Sequence, residues 1–557
     1  MEKNYDRRIR QTLFPVRVVK TFGNILNHEA LLKEKPLQIG LNEPDCTVFE
    51  NGETGENAAV LLDFGREING CVRILTFSSH SDKPASVNIT CGESVSEALS
   101  APGEKNSTND HAVRSADRLL PSYSDMTFNE TGFRFVCLCL NGKGTRLSVR
   151  SAAAVSVYGD IPYIGSFSCS DETLNKIYDT AAYTCGLCLQ NYIWDGIKRD
   201  RLVWVGDMHP EMLTVRSVFG SIPLMEKTLE YIKEATPLPG WMNNMPTYSF
   251  WWLIIVRDWY FYTGSTEFLH KNAEYIISLS ERISSLVSQG GSDSIGYYFL
   301  DWQTNGTEAA KYGSRALLAM ALDAAGELCG YLGNGGAAAL CKEKADILKK
   351  SEWKHCGAKQ TAAMAAMADC TDKNAAAELI LKNGAEGFST FMSYYLLKTA
   401  AEKDISAALG ILKEYYGAML KLGATTFWED FDIAWAENAS AIDEIPEEGK
   451  TDIHGDNGAF CYKGFRHSLC HGWSSAPTAF LAEEVLGIRI SEPGCKKIRI
   501  APRLGNLEWA KGKYPTPYGT VTVSCKNLGG EIKTEWTAPP ELSLIHISEP
   551  TRPISIS

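Results

Sequence analysis

"YSFWWLIIVRDWYFYTG", residues 248–264, is apolar on nearly every side of a helix. A helix with one wet face would show polar residues at every third or fourth position, so this one is expected to be buried all round. Arg257 and Asp258 interrupt it, and it falls short of the ~20 apolar residues that a membrane span requires. It therefore reads as an inner helix of a large helical domain. Helical spacing extends to both sides, in segments near 171–190, 208–219, 222–235, 247–263, 267–289, 307–331, 336–350, 359–369, 374–382, 388–402, 405–421 and 474–486. Paired as six hairpins, these segments would close into an (α/α)6 toroid. A repeat solenoid would show a fixed sequence period, and none is present.

On either flank the texture changes to strands. Residues 36–160 run as short alternating segments broken by Gly, Asn and Asp, among them "CVRILTFSS", "FRFVCLCLNG" and "RLSVRSAAAVSVYG", a pattern expected of an antiparallel sandwich. After Pro493, "KKIRIAPRLG", "GTVTVSC" and "EIKTEWTAP" begin a second one. The expected organisation is a multidomain α and β chain: an N-terminal β-sandwich over 1–162, an (α/α)6 domain over 163–488, and a C-terminal β-sandwich over 489–541 that looks incomplete. The last stretch, 542–557, opens with "LSLIHISEPTR", which resembles the in-frame translation of a transposase-type sequencing adapter. It is expected to be an assembly artefact rather than native sequence.

Composition narrows the function. A chain of 557 residues exceeds what one core supports, and 44% hydrophobic with 22% charged residues is ordinary for a folded protein. A formal net charge of -12, with no basic stripe, argues against a nucleic-acid partner. The charged beginning "MEKNYDRRIRQ" offers no apolar leader, and no run is long enough to span a bilayer, so no membrane partner and a cytoplasmic location are expected. The sixteen cysteines are scattered through apolar runs, and the one CxxC, Cys185 with Cys188, falls within a helical pattern without a second pair; both are expected to be core residues. No metal or other cofactor is expected.

The chemistry gathers in "WDGIKRDRLVWVGDMHPE", residues 194–211, where carboxylates and basic groups alternate with tryptophans. A sugar site needs charged groups for hydroxyls and flat aromatic surface for ring C–H faces. Cleaving a glycosidic bond also needs two carboxyl groups with different tasks, one to protonate the leaving oxygen and one to activate water or attack carbon. The loop offers the first. "GATTFWEDFD", with Trp428 and Glu429 just past a helix, offers the second, and "FRHSLCHGWSSAPTAFL" adds His471 and Trp473.

These residues resemble the α-L-rhamnosidases of glycoside hydrolase family 78. "DGIKRDRLVWVGD" is similar to that family's Asp-Cys-Pro-Gln-Arg-Asp-Glu-Arg-Leu-Gly-Trp-Thr-Gly-Asp motif, and "GATTFWE" to its Gly-Ala-Thr-Thr-x-Trp-Glu. "LLDFGREINGCVRI", "TGFRFVCL", "SFSCSDETLNKIYD", "PGCKKIRIAPRLG" and "TPYGTVTV" extend the likeness in order along the chain. The resemblance implies an inverting hydrolase that releases terminal α-L-rhamnose, with a rhamnosyl glycoside as its carbohydrate partner. Glu429 takes the place of the water-activating base, Asp195 and Arg199 of substrate-holding residues, Trp204 of a hydrophobic wall, Asp207 of the last Asp, and His471 of the histidine before the final helix. Trp428, Trp302 and Asn243 are further expected substrate contacts, Asn243 or Asn244 standing where the family carries an Asp. One departure matters. This chain reads Arg199-Asp200-Arg201-Leu202, one residue shorter than the motif and without its glutamate. Against family members with a shorter Arg-Glu-Arg-Leu, Asp200 falls on the general-acid position; Asp207 or Glu211 is the alternative donor. A six-hairpin glycosidase of other sugar specificity, or a non-catalytic carbohydrate-binding relative, are the competing readings.

Overall fold

The computed structural model describes residues 6–42, 45–460 and 462–546. The chain forms two compact units, one comprising 1–160, 186–202 and 419–471, the other 161–185, 203–418 and 472–557. The first unit is built on a sheet of nine strands: β1 (Ile9–Leu13), β2 (Arg17–Phe22), β3 (Asn24–Leu26), β4 (Thr47–Glu50), β5 (Ala59–Ser78), β6 (Ala85–Gly92), β7 (Ser115–Leu120), β8 (Asp125–Leu140) and β9 (Arg146–Tyr158). Their hydrogen-bonded order is β3-β4-β9-β5-β8-β6-β7, with β1 added to β9 and β2 to β5. All pairs are antiparallel, as expected for strands joined by short turns. The long β5 holds it together, its first half between β2 and β8 and its second between β8 and β9. It changes partners at a bulge between Asp63 and Ile68, where Gly65 takes a positive φ of 81°. Phe49, Leu62, Ile74, Phe133, Val136, Leu138 and Val149 fill the core beneath it.

Residues 186–202 and 419–471, which fall inside the expected 163–488 domain, cluster with this unit. Neither segment has a long helix of its own, and each finds partners on the sheet. Arg134 of β8 donates to Gly423 O, the Glu67 N–H of β5 to Thr425 Oγ1, and Arg201 to Glu130 O. A Cβ at Gly132 of β8 would stand 2.8 Å from Lys198 N, so only glycine lets the 197–198 backbone lie this close to the sheet.

In the second unit, helix Pro246–Thr263 is buried along most of its length, as its sequence requires. Helix Glu308–Tyr331 packs on it and also on Gly335–Lys349 and Lys359–Met367; further helices are Pro223–Glu234, Lys373–Leu381, Ser393–Lys403 and Ile405–Lys421. The expected helix at 267–289 is two, Thr266–Lys271 and Ala273–Ser285. Asn272 breaks them: its amide donates to Phe268 O and accepts from Lys233, competing with the backbone for its own turn. The expected helix at 388–402 begins only at Ser393. Those near 208–219 and 474–486 end in π turns at Val215–Phe219 and Leu481–Val485. Cys185 and Cys188 are buried on helix Glu172–Cys188.

The same unit ends in two small sheets. Strand Ser166–Cys169 precedes the helices in sequence yet pairs with Trp509–Thr516, followed by Gly519–Leu528 and Glu531–Thr537. Ile488–Glu492 and Lys497–Ile500 form a second sheet, to which Ser543–His546 adds a parallel strand. Of the expected artefact tail, 542–546 is thus described, and 547–557 lies outside the described residues.

Candidate active site

In the first unit the 194–202 loop closes on itself. The Asp195 N–H donates to Leu202 O, and the Leu202 N–H donates back to Asp195 Oδ1 at 2.9 Å. Asp195 therefore spends one carboxylate oxygen on the neck of the loop, while Oδ2 lies 3.8 Å from His471 Nε2. Gly196 bridges in antiparallel fashion to His471. Inside this short loop Asp200 and Arg201 both take left-handed backbone conformations, φ 55° and 54°. Each costs about 1–2 kcal/mol, and the turn holds because its side chains are anchored. Arg201 donates to Glu130 O and Oε1 and lies 4.7 Å over the Trp194 ring.

Arg199 organises the rest. One amino group, Nη2, donates to both oxygens of Glu429 at 2.7 and 2.8 Å. The other, Nη1, donates to Asp200 Oδ1 at 2.7 Å, and Nε donates to Arg466 O. The Tyr462 ring lies 4.2 Å from the guanidinium carbon. Burial disfavours the charge on Arg199, but Glu429 and Asp200 outweigh it and raise its pKa above the ordinary value. The two carboxylates are thus held across a single guanidinium.

Glu429 has further support. The Ser468 N–H donates to its Oε2 at 3.1 Å, and His471 Nε2 lies 3.5 Å from Oε1. Burial first, and then Arg199, depress the His471 pKa to about 3, so this imidazole is neutral across the physiological range. His467, brought to about 3 by burial, accepts the Asp430 N–H at Nε2. Trp428, expected to contact substrate, is 1% exposed and packs edge-on against Phe431. At that burial it packs as a core residue next to Glu429 in the chain.

Beside this group lies a buried ionic cluster. Glu93, Glu97 and His454 bring ligand-type atoms within 4.8 Å of one another. The cation there is the chain's own: Lys198 Nζ lies 3.1 Å from Glu93 Oε2 and 3.2 Å from Glu97 Oε1.

The second unit contains the remaining expected residues. Tyr248 donates to Asp207 Oδ1 at 2.8 Å. Trp204 meets Tyr248 edge-on, Tyr248 meets Phe299, and Phe299 meets Trp302, giving a row of four rings. Trp204 and Trp302 are half-buried. Asp301, next to Trp302, accepts from Ser389 Oγ and from the Trp302 N–H, and burial pushes its carboxyl up to about 6. Asn243 does not fit the expected part of a hydroxyl reader. Its Oδ1 accepts the Val205 N–H and its Nδ2 donates to Val203 O, so it latches the backbone that carries Trp204.

The structure therefore brings Asp195, Arg199, Asp200, Glu429 and His471 together in one unit, and Trp204, Asp207 and Trp302 in the other. Sequence reading missed Tyr462, His467, Lys198, Tyr248 and Phe299. Tyr248 and Phe299 lie in apolar runs that give no functional signal. Lys198 was visible as the charge standing where the similar motif has glutamine.

Residues 162–355 match the family model of the bacterial α-L-rhamnosidase six-hairpin glycosidase domain, and residues 487–545 match that of the bacterial α-L-rhamnosidase C-terminal domain. No curated protein matches the chain. A GH78 family rhamnosidase of Bacillus sp. GL1 shares the fold with a TM-score of 0.75 at 21% identity, over 93% of this chain and 55% of that one. A rhamnosidase from Klebsiella oxytoca with rhamnose bound gives 0.64 at 19% identity, over 86% and 96%. The α-L-rhamnosidase of Streptomyces avermitilis complexed with L-rhamnose gives 0.68 at 16%, over 91% and 50%. The chain spans little more than half the length of the Bacillus protein.

Proposed function

We propose that the chain is an α-L-rhamnosidase-like protein of the glycoside hydrolase family 78 type, and that it hydrolyses glycosides by releasing a terminal α-L-rhamnose. The observation that carries this reading is the Arg199 side chain hydrogen-bonded to Asp200 and Glu429 at once. Glycosidic cleavage needs two carboxyl groups in fixed relation, and one guanidinium sets that relation. Glu429, held by Arg199 and the Ser468 N–H, is the base that takes a proton from water. Asp200, held at Oδ1 by Arg199, is the acid that delivers its proton to the leaving oxygen. Water attacks the face opposite the leaving group, so the configuration at the anomeric carbon inverts. His471, a neutral imidazole beside Glu429 Oε1, orients that carboxylate. Taken by itself, the second unit's ring row of Trp204, Tyr248, Phe299 and Trp302 is the kind of flat apolar surface on which the C–H faces and methyl group of a 6-deoxy sugar pack. In this reading the helices of the second unit close as an (α/α)6 toroid with Pro246–Thr263 on its inner ring.

The grip of Arg199 on Asp200 favours a second assignment within the same reaction, in which Asp207 or Glu211 supplies the proton. Release of nitrophenol from a panel of aryl glycosides tests the function. Rhamnoside turnover is expected, with the inverted anomer appearing first by NMR. Glu429→Gln and Asp200→Asn should each lower kcat by ~100-fold or more. Full activity in Asp200→Asn with loss in Asp207→Asn or Glu211→Gln would move the acid to the second assignment. Turnover of no glycoside in the panel would overturn the hydrolase reading.

A further inference from the structure

Lys198 follows the loop's Ile197 and precedes Arg199, and its side chain is 7% exposed. Four acceptors surround its ammonium: Glu93 Oε2, Glu97 Oε1, Phe465 O at 2.8 Å and His467 O at 2.6 Å. Glu93 and Glu97 come from the end of β6 and the one-turn helix Val95–Ala98, a corner that sequence places in the N-terminal sheet domain. Two neighbouring buried carboxylates are unfavourable without a cation, and a lone buried lysine is equally so; each explains the other.

The cluster has a second attachment. Glu93 Oε2 also accepts the Leu469 N–H at 2.5 Å, and Glu93 Oε1 accepts from Ser468 Oγ at 3.2 Å. His467 O takes a second bond, from His454 Nε2, whose Nδ1 pairs with Ser94 Oγ. Backbone residues 465–469 are therefore gripped at two carbonyls, one N–H and one hydroxyl by a cluster centred on Lys198. From that same segment the Ser468 N–H donates to Glu429 Oε2, while Arg199, the next residue after Lys198, forks both Glu429 oxygens. Two of the supports of the Glu429 carboxylate, the Ser468 N–H and Arg199, thus belong to segments tied to one buried ammonium.

We propose that Lys198, held by Glu93 and Glu97, is a positioning residue of the reaction site that fixes the Glu429 carboxylate through the 465–469 backbone and through Arg199. The proposal rests on the reading of Glu429 as the base. It makes Lys198 more than a fold-stabilising ion pair, because its contacts and its chain neighbour reach two groups that hold the Glu429 oxygens. The similar rhamnosidase motif has glutamine at this place. Burial pushes the Glu93 carboxyl up to about 7, with Lys198 acting in the opposite direction. The charged groups facing Glu93 are Lys198, Glu97 and Glu67, with Arg114 beyond Glu97 and His454 kept neutral by burial.

The test uses the full-length chain with Lys198→Met, Glu93→Gln and the double variant. Lys198→Met is expected to lower kcat on the best aryl glycoside by about 100-fold, the scale of displacing a reacting group by about 1 Å, with KM within about threefold. The double variant, which leaves no uncompensated Glu93 charge, should recover at least about tenfold of that loss. Hydrogen exchange in peptides spanning 464–471 should quicken about tenfold or more in Lys198→Met while peptides from β5 stay unchanged. Should Lys198→Met not fold, Glu93→Gln is read the same way, since an amide cannot accept all the bonds that Glu93 Oε1 and Oε2 accept. Exchange and kcat within twofold of the parent would overturn the proposal, as would a kcat loss with no change in exchange over 464–471. A parent chain that turns over no glycoside fails the proposed function alone; the exchange measurement then decides the role of Lys198 by itself.

Discussion

Arg199 is the residue on which the reaction site turns, and its contacts redefine its neighbours. The similar family motif marks it as substrate-holding, yet its donors go to Glu429, Asp200 and Arg466 O. Asp200 accepts a left-handed backbone because the loop is one residue short, and a short polar side chain tolerates φ 55° better than a glutamate would. Trp428 and Asn243 show the opposite outcome: residue types suited to a sugar site serve the core and a loop latch. Asp301 allows a test of buried charge at this scale. Its carboxyl titrates at about 6 when folded against 3.8 ordinarily, so the ionised form is disfavoured by the fold and stability is lost as pH rises through that window. Asp301→Asn removes the dependence. Its stability relative to the parent should grow between pH 4 and 7, reaching at most about 3 kcal/mol, measured by denaturant melts at several pH values. A difference that stays constant with pH would show that Asp301 carries no such burial penalty.

At the scale of elements, local pattern and tertiary context divide cleanly. Helix Pro246–Thr263 is dictated by its sequence: a proline at its start, a glycine in the left-handed conformation at its end, and no polar face between. The break at Asn272 is not dictated in this way, because the apolar spacing runs through it and the amide is fixed by its bonds to Phe268 O and from the distant Lys233. The segment 203–205 owes its course to Asn243, whose own φ is 51°. Asn243→Gly keeps that backbone and loses the two latch bonds, at a cost of about 1–2 kcal/mol. Asn243→Ala should cost roughly 1–2 kcal/mol more, since alanine resists the left-handed region. Equal melting temperatures for the two variants would show that the backbone strain is absent.

At the scale of the whole molecule, the cysteines and the chain's path carry the lesson. Among the described cysteines Cys356 is exposed, whereas Cys185 and Cys188 are buried. A thiol reagent under native conditions should label Cys356 in its fast phase; Cys356→Ser should remove that phase, and Cys185→Ser or Cys188→Ser should leave it intact. Fast labelling of Cys185 would contradict the burial of helix Glu172–Cys188. The sequence by itself determined the change from strand to helix near 170, the buried helix at 246–263, and the two motifs that contain Asp200 and Glu429, because hydrophobic periodicity and short motifs are local properties of a chain. Only the tertiary structure decided that residues 186–202 and 419–471 pack with the N-terminal sheet, and that Ser166–Cys169 completes a sheet of the C-terminal strands. The same holds for Arg199, which faces a carboxylate 230 residues away. Those outcomes depend on which distant groups can satisfy a buried charge or an unpaired strand edge, and no local pattern encodes them.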